Sequence, residues 1–234
     1  MLTKRSRTWV AAGIAAAAAG GYLASQGLAA GSGMPANKAV AAGSKVKSIA
    51  VNGVEELMSA TFKTSKPEDL LISVSAECSI LTDVVIPGST TGGVTQTANA
   101  RGAVRIWVEL DGKIVPIEDV SNPPQDPAGN GNGTDADKVT FCDRLHERTV
   151  TDREDPEDGI DGSRDYIDTK SANAFNWVRL NAGSGPHTLK VFGQFTTSAV
   201  GAGSNAAAYV GNRSLVIEPT KLANDAVIAR SGTS

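Results

Sequence analysis

The most regular stretch of the sequence is Leu70-Leu71-Ile72-Ser73-Val74-Ser75-Ala76-Glu77-Cys78-Ser79-Ile80. From Ile72 to Ile80, apolar residues alternate with serines and Glu77, which is the period of a β-strand that buries one face. Cys78 belongs to the apolar phase of this alternation. The stretch therefore predicts a strand that directs Cys78 into a core.

Two further stretches predict β-hairpins. Residues 103–110 alternate in the same way, and Asp111-Gly112 separates them from the β-rich run 113–117. Asp-Gly between two such runs is the strongest short hairpin signal in a single sequence. Residues 174–180 and 187–195 are joined by a glycine-rich connection and predict a second hairpin.

The number of strand-like runs predicts the fold class. Shorter runs occur at 61–64, 139–145, 206–210 and 213–217, and no amphipathic helical run of twelve or more residues occurs between 50 and 217. Eight or nine short strands without helices predict an all-β, antiparallel β-sandwich, with a jelly-roll arrangement favoured over an immunoglobulin-like one. The order Cys78, Trp107, Cys142 suits an immunoglobulin domain. However, Cys142 falls in the polar phase of its run with Thr140 and Arg144, and no Tyr stands two residues before it.

The start of the chain predicts export. Lys4, Arg5 and Arg7 precede an uncharged run that extends from Thr8 to Asn37. A basic segment followed by an apolar one is typical of a signal peptide, and small residues near Ala29 and Ala41 suit its cleavage. An uncleaved N-terminal membrane anchor is the alternative, because the run exceeds the roughly 20 residues that span a bilayer. The expected location is secreted, cell-surface or periplasmic, without stable membrane insertion after cleavage.

The remaining composition completes the predicted domain organisation. Small polar residues predict a flexible linker before the β-rich body, which Pro219 closes. The predicted segments are a signal peptide at 1–29 with cleavage between about 29 and 41, a linker at 30–50, a β-sandwich at 51–220 and a C-terminal tail at 221–234.

Export also determines how the cysteines are interpreted. Cys78 and Cys142 are the two cysteines of the chain, and an oxidising compartment favours a bond between them. The alternative is a pair of buried free thiols. The sequence therefore predicts a Cys78–Cys142 disulfide.

Composition and motifs argue against several classes of function. The net charge is −3, and no clustered surplus of Lys and Arg is present to neutralise phosphates, so a nucleic-acid binder is not expected. With two His and two Cys, the chain has few residues for a zinc site or a triad. Gly183-Ser184-Gly185 lies near His187 but lacks the strand–turn–helix context of a nucleophile elbow. No catalytic residue is predicted.

The most unusual segment is acidic. Between Asp143 and Asp168 the sequence holds ten acids and four arginines. Like charges at this density predict a solvated, mobile loop over 152–168. The alternative is a Ca²⁺ site, because carboxylates are calcium ligands, although the spacing does not fit an EF-hand. Its candidate ligands are Asp155, Asp158, Asp161 and Asp165.

Phe175 and Trp177 share one face of a predicted strand and are candidates for stacking against a sugar. Because aromatic residues make up only 5% of the chain, core packing is the favoured interpretation of these rings. The predicted function is a non-catalytic structural or binding role, with an envelope component or a glycan as the partner. The alternatives are a carbohydrate-active β-sandwich enzyme and a calcium-dependent glycan-binding module. No other cofactor is expected.

Overall fold

The computed structural model describes residues 38–48, 52–88, 95–117, 137–151 and 162–221. Over these ranges the chain is built of β-strands, and none of it is a helix long and apolar enough to cross a membrane. The strands are β1 (Ala39–Gly43), β2 (Lys47–Ser48), β3 (Gly53–Thr64), β4 (Glu68–Ile86), β5 (Thr95–Leu110), β6 (Lys113–Ile114), β7 (Val139–Thr151), β8 (Ser163–Ala182), β9 (Gly185–Val200) and β10 (Asn205–Thr220).

The strands form two antiparallel sheets. The first sheet has the order β1-β10-β4-β8, and β2 also pairs with β10. The second has the order β3-β9-β5, and the free side of β5 pairs with both β6 and β7. The predicted all-β antiparallel sandwich is confirmed.

The core lies between the two sheets and follows the predicted alternation of β4. Ile72, Val74, Ala76, Cys78 and Ile80 are each at most 3% exposed. They join one apolar cluster with inward residues of the second sheet, such as Ile106 and Leu189. Burying a large aliphatic side chain contributes about 1.5–3 kcal/mol, so this face supplies much of the force that holds the sheets together.

The predicted hairpin at Asp111-Gly112 is confirmed. Leu110 pairs with Lys113 across the turn, and the φ angles of Asp111 and Gly112 are 52° and 76°. Two consecutive positive φ angles are the requirement of a type I′ turn, whose twist matches that of the strands it joins.

The second predicted hairpin is wrong, because its two strands lie in different sheets. β8 pairs with β4 in the first sheet, whereas β9 pairs with β3 and β5 in the second. Residues 183 and 184 therefore connect the sheets, between Asn181 at φ 49° and Gly185 at φ 122°. Alternation records which face of a strand is buried, and that is the same for a hairpin and for a connection across the sandwich.

The linker predicted at 30–50 is wrong over β1 and β2. β1 pairs with β10 from Ala39 opposite Ile217 to Gly43 opposite Arg213, and Ala39 and Ala41 pack against the core. Because the backbone supplies the hydrogen bonds of an edge strand, small residues can form one without a strong apolar pattern. The rest of the predicted linker lies largely outside the described residues.

The pairings define two ends of the sandwich. At one end, called here the terminal end, the start of β1 lies beside the end of β10, and Lys38 forms an ion pair with Glu218. The β3–β4, β5–β6 and β8–β9 connections lie at this same end. At the opposite end, called the loop end, β4, β7 and β9 end and β3, β5, β8 and β10 begin.

The acidic segment is more regular than predicted. β7 extends to Thr151 and β8 begins at Ser163, so the loop predicted over 152–168 is wrong from Ser163 onwards. Residues 152–161 lie outside the described residues, as do the predicted signal peptide and residues 222–234 of the predicted tail.

Candidate functional site

A hydroxyl, an imidazole and a carboxylate meet at the terminal end. His187, at the start of β9, is 8% exposed, and its Nδ1 lies 2.7 Å from Oδ2 of Asp111. Its Nε2 lies 3.1 Å from Oγ1 of Thr64 and 2.8 Å from the carbonyl oxygen of Gly183. The contacts from Thr64 to His187 and from His187 to Asp111 have the arrangement of the nucleophile, base and acid in a hydrolase triad.

The hydrogen bonds of this cluster oppose catalysis. A carbonyl oxygen only accepts, so Nε2 of His187 must carry a hydrogen to bond Gly183, whereas a general base needs a free lone pair there. The hydroxyl of Thr64 donates to the same carbonyl at 2.6 Å, and Thr64 is 1% exposed. The cluster therefore ties β3, β9 and the two neighbouring turns together, and we call it the clasp.

Asp111 is the carboxylate of the clasp. Its Oδ1 accepts the backbone N–H of Thr188 at 2.8 Å, while Oδ2 faces His187. Burial acts to raise the pKa of Asp111, but the hydrogen bonds from His187 and Thr188, with the charge of His187, outweigh it and hold the pKa below its ordinary value.

Asp111→Asn is expected to destabilise the protein more at neutral than at acid pH. A carboxyl whose pKa is lowered by folding stabilises the native state above its unfolded pKa, and this contribution is lost as the pH falls through the native pKa. Because Asp111 is half exposed, we expect about 1 kcal/mol at pH 7. Urea unfolding of both proteins at pH 7 and pH 3 measures the difference. Asp168→Asn, on the outer face of β8, is the charge-matched control, and an unchanged gap between the two pH values would contradict the assignment.

A second polar cluster lies inside the sandwich, between the edge strands β7 and β8. Arg144 donates from Nη1 to Oγ1 of Thr169 at 2.5 Å, and Nη1 of Arg148 pairs with Oδ2 of Asp165 at 2.5 Å. Between them, Nε2 of His146 lies 4.0 Å from the same Asp165 oxygen. We call these five residues the seam.

The sequence pattern assigned Arg144 to a polar phase, and that phase faces inward. The register of β7 against β5 shifts between Val104 and Arg105, where Phe141 is buried, so the phase of Cys142 and Arg144 faces the other sheet. The signal that could have located the seam was the predicted disulfide. If Cys142 bonds the inward Cys78, then Arg144, His146 and Arg148, which share its phase, must also point inward.

The disulfide itself is confirmed. Cys78 of β4 and Cys142 of β7 are bonded, with their Cα atoms 6.3 Å apart, and the bond links the first sheet to the second beside the seam. Its position fixes the edge of the sandwich at which β7 and β8 face each other.

Of the four candidate calcium ligands, Asp165 lies within the described residues. Asp165 is paired with Arg148, which competes with any cation for its oxygens. Asp155, Asp158 and Asp161 lie outside the described residues. Within the part of the chain that the structure describes, no three His, Cys, Asp or Glu side chains are grouped closely enough to hold a metal ion.

Trp177, one of the two candidates for sugar stacking, is 1% exposed and belongs to the core, so its ring is not accessible to a sugar. Phe175 packs against it edge to face, with ring centroids 4.8 Å apart. A different aromatic pair lies on the outer face of the second sheet. There Trp107 stacks on Phe192 at 5.5 Å, and Nζ of Lys138 covers the Trp107 ring at 5.1 Å.

Two carboxylates on the outer faces are held ionised by cations. Asp143 accepts two hydrogen bonds from Arg101, at 3.0 and 2.5 Å, and these bonds lower its pKa. Glu77 lies 2.9 Å from Nζ of Lys170, whose hydrogen bond lowers the pKa of Glu77. The general acid of a glycosidase needs a raised pKa. The pKa values of Asp143 and Glu77 are instead lowered.

Comparison with known proteins adds no homologue: the sequence matches neither a protein-family model nor a curated protein. The function must therefore be inferred from the residues and their geometry.

Proposed function

We propose that the protein is exported and serves as a non-catalytic binding or structural β-sandwich in the cell envelope or outside the cell. The observation that carries this proposal is the Cys78–Cys142 bond, which links the two sheets inside the core. A structural disulfide forms and persists in an oxidising compartment. The basic and apolar N-terminal sequence supports the same location.

We infer that the sandwich is a jelly roll, and its strand order supports this. The chain passes between the sheets at the β2–β3, β3–β4, β4–β5, β7–β8, β8–β9 and β9–β10 connections. Immunoglobulin sandwiches instead keep several consecutive strands as neighbours in one sheet. Jelly rolls are recurrent in binding and assembly proteins such as lectins and capsid proteins.

The described polar groups favour a non-catalytic role. The clasp uses Nε2 of His187 for a backbone hydrogen bond, and cations hold Asp143 and Glu77 ionised. These are the features of side chains that stabilise a fold. A carbohydrate-active enzyme and a calcium-dependent glycan-binding module are the alternatives, and the pairing of Asp165 with Arg148 counts against both.

The placement of the ends favours a displayed binding surface. β1 begins and β10 ends at the terminal end, whereas three strands end and four begin at the loop end. Attachment through the N-terminal sequence would hold the terminal end near the envelope and present the loop end to a partner. Loops carried on a rigid scaffold are the usual location of binding residues.

The exported protein is expected to lack roughly its first 29 residues rather than 41. Cleavage near Ala41 would remove half of β1, with its pairing to β10 and the ion pair between Lys38 and Glu218. Intact-mass measurement of protein recovered from the medium or envelope of the expressing cell determines the site. A full-length species retained in the membrane would contradict cleavage.

Polysaccharide hydrolysis that is lost in Asp165→Asn would replace the proposal with the enzyme alternative.

A further inference from the structure

The seam holds more positive than negative charge. Arg144, His146 and Arg148 occupy successive inward positions of β7, and Asp165, which pairs with Arg148 and lies 4.0 Å from His146, is the carboxylate of the seam. The five residues of the seam therefore hold two guanidinium groups and one carboxylate in a partly buried layer. Unbalanced charge in such a layer is costly unless it is paired and hydrogen bonded.

Hydrogen-bonding groups of the seam also remain unused. Nε of Arg144 and Nδ1 of His146 are buried, and within the described chain neither atom has a hydrogen-bond partner. Nη1 of Arg144 donates its hydrogen bond to Oγ1 of Thr169. Its Nε edge is thus left for an acceptor, and this edge is one that binds a carboxylate or phosphate through two parallel hydrogen bonds.

A third buried group lies at the same level. On β7, His146 lies midway between Arg144, which contacts Thr169 of β8, and Arg148, which contacts Asp165 of β8. His146 is therefore opposite Ile167, which lies midway between Thr169 and Asp165. Ile167 in turn pairs with Thr82 of β4. Thr82 is fully buried, and its hydroxyl likewise has no partner among the described residues.

The neighbouring strand places small residues beside the basic side chains. Arg144 pairs with Gly102 of β5, His146 with Ala100 and Arg148 with Ala98. Each basic residue therefore has a glycine or an alanine of β5 beside it on the inner face, and at Gly102 the Ile80 side chain of β4 packs against the strand. Both seam strands also lie at sheet edges, where the side chains of Arg148 and Asp165 are 35% and 48% exposed.

We propose that the seam is a binding site for a small oxyanion, a carboxylate or a phosphate group, held by Arg144 and His146 with Thr82 behind them. The anion accepts from Nε of Arg144 and from Nδ1 of His146, and it balances the second guanidinium of the layer. This site does not depend on export or on the role proposed for the loop end, because it is formed by β4, β7 and β8 alone.

The test is thermal unfolding of the full chain at pH 7, with sodium acetate or sodium phosphate replacing sodium chloride at constant ionic strength. A ligand that binds the native state raises the Tm in proportion to its excess over Kd. We expect a saturable rise with each oxyanion, retained in Arg101→Gln, which removes an equal charge from the outer face. Arg144→Gln should weaken the apparent affinity about tenfold or more. A rise that does not saturate, or one that is equal in Arg144→Gln, would overturn the site.

Two measurements keep the test informative if Arg144→Gln does not fold. Thr82→Val is nearly isosteric and removes a hydroxyl that has no partner in the described chain, so it should fold and bind each oxyanion more weakly. In the wild-type protein, the ¹H–¹⁵N signal of the Arg144 Nε–H should move saturably with acetate or phosphate. No saturable movement of that signal, or unchanged affinity in Thr82→Val, would contradict the site.

Discussion

Replacing Cys78 and Cys142 by alanine is expected to lower the free energy of unfolding by about 4 kcal/mol. The bond closes a loop between residues 64 positions apart, and opening it returns that conformational freedom to the unfolded chain. It also links β4 to β7, so its loss releases the edge of the sandwich at the seam. Urea unfolding of the wild-type and double-alanine proteins measures the loss.

Reduced wild-type protein is the matched control for this prediction. Reduction opens the loop and leaves both sulfur atoms in place, whereas the alanine variant also removes buried atoms. If loop closure dominates, the two treatments should give losses that agree within about 1 kcal/mol. Titration of the untreated, denatured protein should find no free sulfhydryl. Two reactive thiols, or a variant as stable as the wild type, would refute the assignment.

The fold was predictable where the signal is local. The alternation of β4 placed Cys78 in the core, and Asp111-Gly112 fixed a hairpin, because both signals lie within a few neighbouring residues. The pairing of one strand with another was not predictable in the same way. Residues 174–180 and 187–195 alternate as a hairpin would, yet β8 and β9 lie in opposite sheets, and their own residues do not encode that choice.

The candidate site was harder to predict for the same reason. Charged residues on a strand predict a solvated face, so the inward position of Arg144 and Arg148 depends on the register shift near Phe141 and on what β8 offers opposite them. The clasp likewise joins Thr64, Asp111 and His187 from three distant parts of the sequence. Asp111 belongs to a predicted turn and His187 to a predicted strand, but their hydrogen bond follows from the pairing of β9 with β3 and β5.

The clasp and the seam differ in whether their hydrogen-bonding atoms have partners. In the clasp, each hydrogen-bonding atom of His187 has a partner, which suits a fixed corner at the terminal end. In the seam, Asp165 pairs with Arg148, while Nε of Arg144 and Nδ1 of His146 have no hydrogen-bond partner in the described chain, which suits a ligand. A binding role for this sandwich therefore needs no catalytic group. It needs a rigid frame, and the core must hold that frame together.

Trp177→Ala is expected to lower the free energy of unfolding by about 3–5 kcal/mol, because it would leave a large cavity between the sheets. Trp177 is 1% exposed, and it packs against Phe175 in the layer where β8 pairs with Ile72 of β4. Trp177→Phe is the graded control: its loss should be smaller, since the ring mostly fills the site and the indole N–H has no partner in the described chain. Phe192→Ala, at a half-buried ring on the outer face, should also cost less. Urea unfolding ranks the three variants. If Trp177→Ala were as stable as the wild type and lost binding to a glycan, the ring would have to be accessible, and the core assignment of β8 would fail with it.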